Sequence, residues 1–301
     1  MHDLSLFMDR DRDSLLERTR RLLRRSGLRA RKGLGQHFLV DEAALQKIID
    51  AAELTREDTV IEVGPGLGIL TAELARRAGW VIAIELDDQL AAVLQKNLPS
   101  DNIVIINQDV LGTDPKSLLE GKAPGFPAGL RYKVVANLPY YITSPVLRHF
   151  LEASVKPEAM VLTVQKEVAE AIAAGPGRRS LLSISVQFYG HPSIVARLPA
   201  ASFYPPPEVD SAVVKIEVYQ CPPVRVDDVD RFFKLVRAGF TAARKQAANS
   251  LAQGLGLAKD EVAAMLQKAG IAPQRRAETF TLEEWAELYR VFRQSAGGAG
   301  C

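Results

Sequence analysis

The sequence predicts an α/β protein: a mostly parallel β-sheet covered by helices on both faces, followed by a small all-helical domain. Three observations carry this. From residue 41 onward, short apolar runs rich in β-branched residues alternate with helical patterns, the rhythm of β-α-β units. These runs are apolar almost throughout, as strands buried on both faces are. After the proline-rich stretch QCPPVRV (220–226) only helical patterns follow. At 301 residues, 47% hydrophobic and 25% charged, the chain has an ordinary globular composition. Its length suits one large domain and a smaller one.

The elements follow in order. Residues 10–32 carry Arg10, Arg12, Arg18, Arg20, Arg21, Arg24, Arg25, Arg29, Arg31 and Lys32, with Leu15, Leu16, Leu22 and Leu23 at helical spacing among them. This predicts a basic amphipathic helix, and residues 1–30 are read as a basic N-terminal extension. Such a helix is either solvated and docked by its leucines, or an arm that touches phosphates. Asp9, Asp11, Asp13 and Glu17 argue against a mitochondrial transit peptide. DEAALQKIIDAAEL (41–54) opens on an Asp41 cap and is helical in period. Strands are predicted at 59–64, 80–86, 102–109, 132–137, 159–164, 181–190 (LLSISVQFYG) and 211–219, which makes seven. Helices are predicted at 69–78, 87–98, 144–153 and 165–174 between them. The last two strands have no long helix between them, which suggests an antiparallel edge. The main domain is placed at 31–219 and the helical domain at 220–301, with a frayed end at SAGGAGC.

Composition sets the limits on function class. Cys221 and Cys301 are far apart and form no C-x-x-C pattern, so a disulfide framework is not expected and a reducing cytosol is. The four histidines, His2, His37, His149 and His191, are scattered and predict no metal site. No apolar stretch approaches the roughly 20 residues that span a bilayer.

Chemistry enters at the strand ends. EVGPGLGIL follows the first strand and opens a helix; Gly64, Gly66 and Gly68 allow a tight turn and close approach of a ligand. Glu85 ends the next strand, where an acid binds ribose hydroxyls in nucleotide-binding α/β folds. An adenosine-bearing cofactor is therefore predicted, against a tight turn with no ligand. The pattern is G-x-G-x-G, with Ile69 where the dinucleotide fingerprint needs its third glycine. Asp109, ending the third strand, either accepts from an adenine amino group or caps the following turn.

The fourth strand ends unusually, in VVANLPYYITSPVLRHF. The Asn137 amide oxygen and the Leu138 carbonyl can each accept a hydrogen bond from one amine. Pro139 stiffens the turn, and Tyr140 offers a face for stacking a base. An exocyclic amine on a planar ring is a poor nucleophile because its lone pair is delocalised. Two acceptors on its N–H bonds favour a pyramidal nitrogen and free that pair. Neither a Ser-His-Asp nor a Cys-His set is legible beside it. The plainer alternative is a sheet-end turn with Tyr140 and Tyr141 as packing residues.

These segments together resemble the KsgA/RsmA-type rRNA adenine N6,N6-dimethyltransferases from about Gly33 to Leu288. The resemblance rests on GLGQHFL (33–39), IEVGPGLGILT (61–71), AIELD (83–87), NQDVL (107–111) and ANLPYYITSPVL (136–147). LTVQKEVAEAI (162–172), FYPPPEVDSAVVKI (203–216), ARKQAANSL (243–251) and RAETFTLEEW (276–285) extend it. It implies a class I, Rossmann-like methyltransferase that uses S-adenosylmethionine and no metal. The implied partner is 16S rRNA in an immature 30S subunit, methylated by a cytoplasmic monomer at two adjacent adenosines of the 3′-terminal hairpin loop during ribosome biogenesis. It implies cofactor contacts from His37, Leu39, Gly64, Glu85, Asp109 and Asn137. Asn137, Leu138, Pro139 and Tyr140 match the catalytic turn, and Phe203 the second aromatic flanking the target base. The chain departs from the pattern at Tyr141, where many relatives carry Asn, and in the shortened segment 173–184.

An RNA-facing surface is predicted from Arg231, Lys234, Arg237, Thr241, Arg244 and Lys245 at helical spacing, with Arg178, Arg179, Arg275 and Arg276. Four other readings compete. A resistance methyltransferase of large-subunit rRNA shares the cofactor site and the turn, but PPPEVDSAVV and RAETFTLEEW favour the small-subunit branch. The C-terminal helices argue against a DNA adenine methyltransferase. An NAD-dependent oxidoreductase leaves Asn137 to Tyr140 without purpose, and a ribosome-assembly checkpoint is compatible with catalysis.

Overall fold

The computed structural model describes residues 13–98, 101–120, 131–242 and 244–297. His2, Asp9, Arg10, Asp11, Arg12 and Cys301 lie outside the described residues, as does the end of SAGGAGC. The basic stretch forms helix α1 (Leu15–Arg25), capped by Ser14, whose hydroxyl accepts from the Glu17 N–H while the Glu17 carboxylate accepts from the Ser14 N–H. At 11 residues such a helix is marginal alone. It is held by burying Leu15, Leu22 and Leu23, each worth roughly 1.5–3 kcal/mol.

The order continues with β1 (Phe38–Leu39), α2 (Glu42–Ala52), β2 (Thr59–Val63), α3 (Ile69–Ala75), β3 (Trp80–Glu85) and α4 (Asp88–Asn97). Next come β4 (Ile103–Asn107), α5 (Pro115–Leu119), β5 (Lys133–Asn137), α6 (Thr143–Leu151), β6 (Ala159–Gln165) and α7 (Lys166–Ile172). Helix α8 (Leu181–Tyr189) precedes β7 (Gly190–Leu198), β8 (Phe203–Tyr204) and β9 (Ser211–Val218). Four helices follow: α9 (Val229–Gly239), α10 (Ala247–Leu255), α11 (Lys259–Lys268) and α12 (Leu282–Gly297).

The main sheet has seven strands in the order β4-β3-β2-β5-β6-β9-β7. β2, β3, β4, β5 and β6 pair in parallel, and β9 runs antiparallel to β6. Successive side chains of a strand point to opposite faces. Val60 and Ile61 are both fully buried, as are Val134 and Val135, so both faces of the sheet are covered. A separate antiparallel ribbon joins β1 to β8, with Phe38 opposite Tyr204 and Leu39 opposite Phe203.

The strand predicted at 181–190 is instead helix α8. Ser180 and Ser183 cap its start reciprocally, each hydroxyl accepting from the other's backbone N–H. A short apolar run fits a buried strand or a buried helix equally well. The edge of the sheet is taken by β7, GHPSIVARL, whose inner residues are at best half-buried. Pro192 near its start is tolerated because an edge strand leaves one side unpaired.

Two compact units are distinguished. The first holds the described residues up to Ala169 together with Pro192–Val218, and the second holds Glu170–His191 and the chain from Tyr219. The second is built on an aromatic cluster in which Phe188 stacks on Phe232 at 5.2 Å and Phe233 meets Phe188 edge-on at 5.3 Å. Several arginines predicted to face RNA are engaged within this unit. Arg275 pairs with Glu284, Arg276 with Glu278, Arg179 donates to the Phe280 carbonyl, and Arg231 lies over the Phe292 ring. Lys234, Arg237, Arg244, Lys245 and Arg178 are exposed.

Gly68 caps α3 at φ +82°, and a Cβ there would meet Leu98 Cδ1 at 2.5 Å. Gly68→Ala therefore combines a left-handed backbone with a clash. It is expected to lower stability by about 1–3 kcal/mol, read as a lower urea midpoint with unchanged slope; an unchanged midpoint contradicts the account.

Candidate active site

The carboxyl ends of β2, β3, β4 and β5 converge on a cavity of about 280 Å³. Its floor is the turn after β2. Gly64 and Gly66 adopt φ +66° and +60°, a region that favours glycine. A Cβ on Gly66 would come within 3.1 Å of the Phe38 ring. Glu85, at the end of β3, locks this turn: one carboxylate oxygen accepts the Gly66 N–H at 3.0 Å and the other the Asp87 N–H at 2.9 Å. Burial raises the Glu85 pKa, while those two N–H groups oppose the rise. Asp109 caps the following turn by accepting from the Leu111 N–H at 3.0 Å, and it lines the cavity wall.

The opposite wall is the turn after β5. Asn137 closes the strand opposite Thr163, and the Leu138 N–H donates to the Thr163 carbonyl at 3.2 Å. Pro139, at φ −56°, leads into a single 3₁₀ turn, Tyr140–Ile142, closed by the Ile142 N–H on the Pro139 carbonyl. The Tyr140 hydroxyl bonds Ser211 Oγ at 2.7 Å, which fixes its ring. Asn137 Nδ2 donates to the His37 carbonyl at 2.9 Å. A carbonyl can only accept, so the amide's orientation is set. Its oxygen, Oδ1, and the Leu138 carbonyl have no hydrogen-bond partner among the described residues.

The third wall is the segment from Leu34 to Leu39. His37 Nδ1 lies 2.7 Å from the Pro205 carbonyl, so that nitrogen carries the hydrogen. Its ring stacks on Tyr140, centroids 5.9 Å apart at 23°. Nine of the ten predicted site residues share one neighbourhood: His37, Leu39, Gly64, Glu85, Asp109, Asn137, Leu138, Pro139 and Tyr140 all line the cavity. Phe203 does not. It is 3% exposed in the core with Leu39, Leu198 and Val213, because its register opposite Leu39 turns the ring inward.

Glu62 is a site residue the sequence reading missed. It lines the cavity from within β2, is 1% exposed, and its Oε2 has no hydrogen-bond partner. Burial, with some help from Glu85 and against the nearby Thr71 hydroxyl, pushes its pKa to about 8. The available signal was an acid inside an otherwise apolar strand, TVIEV. An unpaired buried carboxyl beside a second buried acid, Glu85, suits a ligand that carries a cationic amine. Among the described residues no group of three or more His, Cys, Asp or Glu side chains could hold a metal, and no helix is long and apolar enough to cross a membrane.

A glycine turn beside a buried acid, Glu85, at the carboxyl ends of adjacent strands is the arrangement of a nucleotide-cofactor enzyme. With β9 inserted antiparallel between β6 and β7, it differs from the 3-2-1-4-5-6 dinucleotide-binding order; the class is the class I methyltransferases. The sequence profile of the ribosomal RNA adenine dimethylase family matches residues 27–294, and the chain belongs to that family. It is 52% identical over 284 residues to the ribosomal RNA small subunit methyltransferase A of Dehalococcoides mccartyi, covering 94% of this chain and 95% of that one. The protein of the same name from Moorella thermoacetica is 45% identical over 92% of this chain and 97% of its own. Among solved structures, the 23S rRNA methyltransferase ErmE matches with a TM-score of 0.66 at 29% identity, over 85% of this chain and all of that one. A dimethyladenosine transferase from Plasmodium falciparum shares the fold, with a TM-score of 0.70 at 24% identity over 86% of this chain and 98% of its own.

In the cofactor-free protein, folded Glu62 keeps its proton up to about pH 8, whereas the unfolded chain releases it near 4.5. The unfolded state then binds fewer protons, so stability falls as pH rises through that window. Glu62→Gln, uncharged throughout, removes this slope. Its melting temperature is expected to gain on the parent's from pH 5 to pH 9; parallel pH profiles contradict the assignment.

Proposed function

We propose that this chain is the enzyme that dimethylates N6 of two adjacent adenosines in the 3′-terminal hairpin loop of 16S rRNA, using S-adenosylmethionine. Its setting is the cytoplasm, acting as a monomer on an immature 30S subunit during ribosome biogenesis. One observation carries the reading: the Asn137–Tyr140 turn has two oxygens, Asn137 Oδ1 and the Leu138 carbonyl, with no hydrogen-bond partner among the described residues, and both residues line the cavity.

The cavity residues fit the cofactor. Glu85 would hold the ribose hydroxyls, Asp109 the adenine amine, Glu62 the ammonium, and the Gly64–Gly66 turn and the His37–Leu39 segment its body. Bound there, S-adenosylmethionine supplies an electrophilic methyl group. The remaining work is done by the chain. A target adenine must come from a loop or be flipped out of a helix. Tyr140, its ring held by Ser211, supplies a stacking face worth roughly 1–3 kcal/mol. Asn137 Oδ1 and the Leu138 carbonyl accept the two N6–H bonds, which favours a pyramidal nitrogen with its lone pair toward the methyl donor. After the methyl group has moved from sulfur to N6, the nitrogen is cationic and acidic, and its proton passes to solvent. Phe203 is buried, and the aromatic rings lining the cavity are His37, Phe38, Tyr140 and Tyr141. If Phe203 flanks the base, its ring must first leave the core.

The small-subunit assignment is supported by 52% identity to a small subunit methyltransferase A against 29% to the 23S enzyme ErmE. The test uses labelled S-adenosylmethionine with small subunits from cells lacking this methylation and large subunits as control. Dimethyladenosine from small subunits alone is the expected digest; label in large-subunit RNA moves the chain to the resistance branch. Asn137→Ala is expected to cut turnover about 100-fold or more while the cofactor Kd stays within a few-fold. Glu85→Ala is expected to weaken cofactor binding instead, by calorimetry; an unaltered Kd contradicts the ribose assignment.

A further inference from the structure

Helix α1 carries more positive charge than its docking uses. Its leucines face inward: Leu22 and Leu23 pack with Phe38, Leu67 and Leu90, three residues that also line the cavity. Leu28 and Ala30 extend the same contact. The helix is therefore fixed against the outer side of the cavity wall rather than tethered loosely.

The arginines on and after it divide into two sets. Arg20 lies over the Tyr204 ring at 5.1 Å, Arg21 pairs with Asp13, and Arg31 pairs with Asp87 at 3.2 Å and donates to Gln89. Arg18 is buried. Arg24, Arg25 and Arg29 are exposed and have no acidic, aromatic or carbonyl partner among the described residues. A helix C-terminus favours cations, which accounts for Arg24 and Arg25 in part but not for Arg29, which lies beyond the helix.

Arg29 also leads directly to the active site. Two residues on, Arg31 is tied to Asp87, and Gln36, at the cavity edge, donates to the same carboxylate at 3.1 Å. Arg24 and Arg25 at the end of α1, and Arg29 just beyond it, thus have no partner among the described residues on a stretch of chain that runs on to the cavity rim. Arginine forks match phosphate oxygens and are weakly hydrated, so the surface suits a polyanion arriving at that cavity.

We propose that Arg24, Arg25 and Arg29 form a phosphate-contact surface that takes the sugar–phosphate backbone of the substrate RNA beside the methylation site. This rests on the function proposed above. These residues orient and retain the RNA without touching the reacting atoms.

The test compares the full chain with R24Q/R25Q/R29Q and R24K/R25K/R29K, using undermethylated small subunits and labelled S-adenosylmethionine over a range of salt. The glutamine variant is expected to raise KM for subunits about 10-fold or more at low salt, with kcat and cofactor Kd unchanged. Each lost contact should reduce the log–log salt slope by about 0.7–0.9, so the slope becomes shallower by about 2–3. The lysine variant should stay near the parent. A glutamine variant with the parent's KM and slope overturns the proposal while leaving the methylation reading intact, even if its melting temperature falls through a weakened helix end. A parent that methylates neither subunit overturns both.

Discussion

The site depends on one hydrogen bond, from Asn137 Nδ2 to the His37 backbone carbonyl at 2.9 Å, across 100 residues of sequence. Without it the amide is free to turn, and a reversed amide would offer an amine a donor instead of an acceptor. The bond works because both ends are held. Asn137 closes a strand inside a covered sheet, while His37 is stacked on Tyr140 and bonded to the Pro205 carbonyl. The ribbon of β1 and β8 and the bond from Tyr140 to Ser211 complete the frame. Three stretches of the chain thus converge to aim two oxygens.

Charge is arranged in two layers that a net value of +2 conceals. Inside, burial and, to a lesser degree, the nearby Glu85 carboxylate oppose the ionisation of Glu62, which retains its proton up to about pH 8. A cation entering the cavity would relieve that burial cost and draw the proton off. Outside, Arg24, Arg25 and Arg29 are exposed with no acidic partner among the described residues. One layer suits a small cationic cofactor and the other a polyanionic substrate, and the cavity wall separates them.

Much of this was legible from residue order alone. Strand and helix alternation is dictated by burial on two sheet faces, and the strand ends carry their chemistry in sequence: Gly64, Glu85, Asp109 and Asn137 close successive strands or begin the turns after them. What was not legible depended on tertiary context. The run 181–190 satisfies helix and strand patterns alike, and Ser180–Ser183 marks the helix only once a serine at the third position is recognised as a capping partner. Phe203 was assigned a role by resemblance, but its register opposite Leu39 sends the ring to the core. Glu62 is an acid inside an apolar strand, and only the cavity beside it gives its unpaired oxygen a meaning. Arg179 and Arg275, predicted to face RNA, are engaged with Phe280 and Glu284 within their own unit.

The most direct test is a structure of the protein with S-adenosylhomocysteine and a hairpin RNA carrying the target adenosines in its loop. The account predicts the N6 atom within about 2.7–3.2 Å of both Asn137 Oδ1 and the Leu138 carbonyl, with Asn137 Nδ2 still on the His37 carbonyl. An adenine held away from those oxygens, or an Asn137 amide turned so that its nitrogen faces the base, would contradict it.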